Sequence, residues 1–82
     1  MDYEWITYNA RDCGNGNIHI TFAHGTLSHK KVGEFWLPYS IRNLTWEKQS
    51  EILKKRIREV MGWDRKGTPI KIHLAYFTGE IK

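Results

Sequence analysis

The chain carries one cysteine, two prolines and no long apolar run, and each scarcity closes off a class of protein. A lone thiol, Cys13, cannot form an internal disulfide, which fits a reducing compartment. No stretch is apolar for long enough to span a bilayer. The opening residues Met-Asp-Tyr-Glu-Trp lack the basic and apolar regions of a signal peptide, so the expectation is a cytoplasmic protein. Catalytic and metal-binding patterns are equally scarce. There is no serine–histidine–acid pattern, no pair of carboxylates that stands out, and no P-loop spacing. His24 and His29 with Cys13 lack the close paired spacings of a structural zinc site. The expectation is a non-enzymatic protein with no metal or cofactor.

What is present is a single small domain over residues 1–82, rich in large rings: four Trp, four Tyr and three Phe. A chain this short buries little surface, so the rings serve either as core or as a contact surface, and a homo-oligomer would add burial. The net charge of +4 is unevenly placed. Residues 1–44 hold four basic and four acidic side chains, whereas residues 45–82 hold nine and five. A basic half favours an anionic partner.

Residues 45–61 give the clearest element. Thr45 is positioned to cap a helix, and Glu47 places negative charge where the dipole favours it. Ile52, Leu53, Ile57, Val60 and Met61 recur at three- and four-residue steps, with Trp46 extending the stripe, and Gly62 stops it. Glu51 with Lys54 and Lys55, and Lys55 with Glu59, form the spacings of a compensated solvent face. Arg56 differs, because it lies at the margin of the apolar stripe, where an arginine either snorkels to solvent or meets an acidic or aromatic partner.

Four segments read as strands. Residues 3–10 are aromatic and β-branched, with Ile6 and Tyr8 on one face and Trp5, Thr7 and Asn9 on the other. Both faces carry rings, so alternation leaves the buried face open. Residues 11–17 are turn formers that should close a hairpin. Residues 18–23 alternate cleanly, with Ile18, Ile20 and Phe22 opposite His19 and Thr21. Residues 32–37 form a third strand stopped by Pro38, with Phe35 and Trp36 facing opposite ways. Residues 70–77 form the last, with Ile70, Ile72, Leu74 and Tyr76 expected inward and Lys71, His73, Ala75 and Phe77 outward. The loop at 24–31 combines glycine, hydroxyls, histidines and lysines that suit an anion. The fold class expected is α+β: a mainly antiparallel sheet of about four strands in β-β-β-α-β order, with one amphipathic helix packed on one face.

His19-Ile20-Thr21-Phe22 resembles the histidine–apolar–threonine–apolar strand motif of the two-histidine phosphoesterases. The resemblance covers four residues and implies a histidine-dependent phosphodiesterase. It requires a second motif, and His73-Leu74-Ala75-Tyr76 places alanine where that motif needs a hydroxyl.

The leading expectation is a binding module for an anionic partner, either a nucleic acid or a protein that handles one. Its contacts would be Arg56, Arg65, Lys66 and Lys71 for charge, with Trp5, His19 and His73 on the sheet face, where rings stack bases and cations follow phosphates. The competing expectation is a protein-binding inhibitor or adaptor of the kind that mobile-element or phage genes encode.

Overall fold

The computed structural model describes residues 3–25 and 31–78, and for residues 75–78 the backbone alone. It contains a four-stranded mixed sheet with one helix packed on it. The strands are β1 (Glu4–Asp12), β2 (Asn17–His24), β3 (Gly33–Pro38) and β4 (Ile70–Thr78), and the helix is α1 (Trp46–Met61). Their spatial order is β3-β2-β1-β4. The pairings β1–β2 and β2–β3 are antiparallel, and β4 adds to β1 in parallel. The parallel pairing follows from connectivity. The chain leaves β3 at one edge, runs across the sheet as α1, and returns at the other edge as β4, as a parallel crossover requires.

Helix α1 has the ends its sequence calls for. The Thr45 hydroxyl accepts from the Lys48 amide at 3.3 Å, and Gly62 takes a left-handed φ of 78°. The Trp63 amide then donates to the Arg58 carbonyl at 2.7 Å, closing the last turn. Leu53 and Ile57 are the helix residues that become fully buried. Trp46 and Val60, expected on the same stripe, are 55% and 42% exposed. The stripe is thus covered most completely at Leu53 and Ile57, with Ile52 and Met61 packed partly against the core.

Ile6, Tyr8 and Ala10 face the helix from β1, which settles the face that alternation left open. Ile18, Ile20 and Phe22 join them from β2, Phe35 and Leu37 from β3, and Ile70 from β4. Gly33 enters β3 under Phe22. A Cβ there would lie 2.5 Å from Phe22 Cζ and 2.9 Å from Val60 Cγ1, so only hydrogen fits.

Two details depart from expectation. The β1–β4 register slips between Tyr8 and Asn9, so Tyr8 pairs with Leu74 and Asn9 with Tyr76. A bulge of this kind interrupts strict alternation. The side chains of Ala75, Tyr76 and Phe77, for which faces were expected, lie outside the described residues. The anion-suited loop falls mostly in 26–30, also outside them. On α1, Glu59 pairs with Arg56 at 3.1 Å, and neither Lys54 nor Lys55 takes an ion pair among the described residues. No described helix is long and apolar enough to cross a membrane.

Candidate functional site

The sheet face turned away from α1 is built by the odd-numbered residues of β1 and β2 and the even-numbered ones of β3. Strand register fixes who is beside whom. Arg11 lies opposite His19, and His19 lies opposite Trp36, so one row crosses three strands. Asn9, Thr21 and Glu34 form the next row. Nearer the other end, Thr7 pairs with His73 and Trp5 with Lys71.

The first row is preorganised. The Trp36 ring stacks on His19 with centroids 4.5 Å apart and planes 16° from parallel, while the tryptophan stays 53% exposed. One face of the indole is held and the other is open. His19 Nε2 lies 2.9 Å from Glu34 Oε1, and Lys31 Nζ donates to the same oxygen at 3.2 Å. The hydrogen bond from His19, followed by that from Lys31, holds the Glu34 carboxyl below the usual range. The one acid on this stretch of the face is thereby matched by two positive or protonatable groups.

The second cluster is at the opposite end. The Tyr3 and Trp5 rings are 6.0 Å apart at 52°, and Lys71 Nζ lies 4.5 Å from the Tyr3 centroid, a cation–π contact. The Trp5 indole Nε1 is buried and has no hydrogen-bond partner among the described residues. Between the clusters lie Thr7, Asn9 and Thr21, all polar. The Thr7 hydroxyl donates to the Gly25 carbonyl at 2.7 Å, and the Gly25 amide to the Trp5 carbonyl at 2.7 Å, which ties the end of β2 to β1. Six residues along β1 separate Trp5 from Arg11, about 20 Å at strand rise.

Of the residues singled out in the sequence, Trp5, His19, Lys71 and His73 are brought to this face together. Arg56 is not. It lies on α1, beyond the sheet, with its guanidinium carbon 5.4 Å from the Phe35 ring centroid and its charge on Glu59. It meets both an aromatic and an acidic partner there. Arg65 and Lys66 are exposed in a short 3-10 turn (Asp64–Lys66) that leads into β4. Trp36 and Arg11 were missed. Alternation alone said that Phe35 and Trp36 part company, but only the β2–β3 register puts Trp36 against His19.

His19 and His73 share the face but do not converge. Their β1 neighbours, Arg11 and Thr7, are four residues apart, about 13 Å along the strand, and β1 lies between them. General acid–base work needs both groups within hydrogen-bond reach of one substrate. Among the described residues no cluster of histidine, cysteine or acid could hold a metal ion, and Cys13 is exposed at the hairpin tip.

The class these features define is a small α+β domain with a mixed four-stranded sheet, one face covered by a helix and the other lined with rings and cations. No family model, no curated protein and no solved structure matches the chain.

Proposed function

We propose that the open sheet face binds single-stranded nucleic acid without catalysis. The observation that carries this reading is the Arg11–His19–Trp36 row, in which a half-exposed indole is stacked on His19 and a cation lies across His19 on the next strand. Such a ring loses little freedom on stacking a base, and base–aromatic stacking tolerates any sequence. The Tyr3–Trp5–Lys71 cluster supplies a second stacking and phosphate point about 20 Å away, a span that several nucleotides would cover. Polar Thr7, Asn9 and Thr21 line the path between.

Fluorescence-polarisation binding to labelled single-stranded RNA, single-stranded DNA and duplex, at low and at physiological salt, tests this. The expected outcome is preference for single strands and a log–log salt slope of about −2, as for two to three phosphates neutralised. Trp36→Ala, Arg11→Ala and Lys71→Ala should each weaken binding, and Arg56→Ala should not. Absence of binding at low salt overturns the proposal. Salt-tolerant capture of one protein would support the inhibitor or adaptor reading instead.

A further inference from the structure

On the helix side of the sheet, a half-open groove beside Tyr8, Leu53 and Leu74 is walled mainly by apolar side chains. The opposite face carries a more specific feature. The Trp5 indole nitrogen is buried and has no hydrogen-bond partner among the described residues. An indole nitrogen can only donate. A buried donor without an acceptor is costly, and native structures keep few of them. Trp5 as a whole is only partly buried and belongs to the open face, so this donor lies shallow and outside the core. Its register partner on β4 is Lys71, an exposed residue. The Lys71 ammonium rests on the Tyr3 ring and takes no ion pair among the described residues. Glu4, the acid next to Trp5 in the chain, alternates to the other side and is engaged by His24 Nε2.

We propose that the Trp5 N–H and the Lys71 ammonium together bind one phosphodiester of a single strand, with Trp5 acting as a hydrogen-bond donor and not as a stacking ring. This deepens the strand-binding reading of the open face and rests on it. The neighbourhood selects an anion. A phosphate oxygen gains from the N–H and from the ammonium, whereas a base carbonyl gains from the N–H alone. A donor held out of water is also screened less, so the bond it makes is stronger than one at the surface. Lys71 is the weakly held neighbour whose movement opens the way to the nitrogen. It exchanges the Tyr3 ring for the phosphate, and the ring it leaves is free to stack a base.

The test titrates the whole ¹⁵N-labelled chain, at low salt, with oligothymidylate and with an abasic phosphodiester strand of the same length. The indole N–H signal of Trp5, identified among the four tryptophans by its loss in Trp5→Phe, is followed beside that of Trp36. The expected result is a downfield shift of the Trp5 signal with both strands, and a response of Trp36 only to the strand that carries bases. Replacing Trp5 by benzothienylalanine keeps the ring shape and exchanges the N–H for sulfur. That change should weaken oligothymidylate binding about tenfold, with the salt slope unchanged and the folded state no less stable. Lys71→Ala should flatten the slope by about 0.7, as for one phosphate of a single strand. A Trp36 response with a silent Trp5 signal overturns the proposal and leaves strand binding standing. A Trp5 shift with the base-bearing strand alone also overturns it, because the donor then reads a base. Silence of both indoles removes strand binding itself, and the proposal with it. A benzothienylalanine chain of lower stability overturns it as well, by showing that the nitrogen is bonded within the protein.

Discussion

Along β1, Ile6, Tyr8 and Ala10 point to the helix, while Trp5, Thr7, Asn9 and Arg11 point away. Nine residues thus supply two surfaces held by different physics. On the covered face, Ile6 and Ile57 are fully buried, and each such side chain contributes roughly 1.5–3 kcal/mol by leaving water. On the open face the contacts are ring stacks and exposed ion pairs, the latter worth about 0–1 kcal/mol each. Stability should therefore reside on one side and recognition on the other. A domain of this size can spare large aromatics for an exposed face because twelve buried apolar residues among those described already form a core.

The sharpest way to break that division is to truncate Ile57, the most buried residue of α1. Ile57→Ala should cost about 3–4 kcal/mol, read as a lower denaturant midpoint at unchanged slope. Binding on the open face should survive at temperatures where the variant remains folded. A cost below about 1 kcal/mol would mean that α1 does not anchor the sheet. Next in size is Gly33→Ala. The added methyl must displace Phe22 and Val60 together, and overpacking of this kind costs about 1–3 kcal/mol. If Gly33→Ala instead stabilises the protein, Phe22 and Val60 give way to the methyl without strain.

The covered face was the more legible of the two in the sequence, for a physical reason. Helical periodicity at Leu53 and Ile57, the Thr45 cap and the Gly62 stop are local signals, and so is alternation at Ile18, Ile20 and Phe22. The parallel pairing of β4 with β1 is non-local. It depends on where the crossover deposits the last strand, and no residue pattern within β4 encodes that. The register slip beside Tyr8 has the same character. The open face was half legible for this reason: Trp5, His19, Lys71 and His73 were picked out by alternation, whereas Trp36 and Arg11 acquire meaning only through their rows. Arg56 was singled out as unusual, and it lies on α1 apart from the open face, against a ring and an acid; charge at a stripe margin looks alike whether it meets a ring or a ligand.

Trp36→Ala inverts the Ile57 result. The ring is half exposed, so its loss should change stability by under about 0.5 kcal/mol, yet it should weaken single-strand binding by about 1–3 kcal/mol, the usual value of one base stack. Equilibrium unfolding and polarisation on the same sample separate the two numbers. A large stability loss with intact binding would reverse the assignment of the two faces.

Tyr8 couples the covered face to pH at the alkaline end. Burial, opposed by the charge of Arg42, pushes its hydroxyl from 10.0 up to about 12. The folded state holds this proton more tightly than the unfolded chain does. Its stabilising effect is thus complete below about pH 10 and is lost as pH rises toward about 12. Two units correspond to at most about 2.7 kcal/mol, and solvent in the groove screens part of it, so about 1–2 kcal/mol is expected. Tyr8→Phe should remove this alkaline loss. If wild type and Tyr8→Phe lose stability in parallel from pH 10 to pH 12, the hydroxyl is not desolvated.

The smallest effect should come from Glu34, the carboxylate that braces the open face. Its pKa is lowered in the folded state, first by the His19 hydrogen bond and then by Lys31. The stabilisation it gives is present above the ordinary carboxylate pKa and is lost as pH falls through the lowered one. Glu34 is exposed, so thermal midpoints of wild type and Glu34→Gln should differ slightly at neutral pH and converge in acid. The more telling readout is Trp36 fluorescence. With the brace gone, His19 is free to turn, and the indole should become more accessible to a neutral quencher while the core stays intact. Unchanged quenching in Glu34→Gln would mean that the His19–Trp36 stack holds itself, and that the acid serves only to offset charge on a face built to meet an anion.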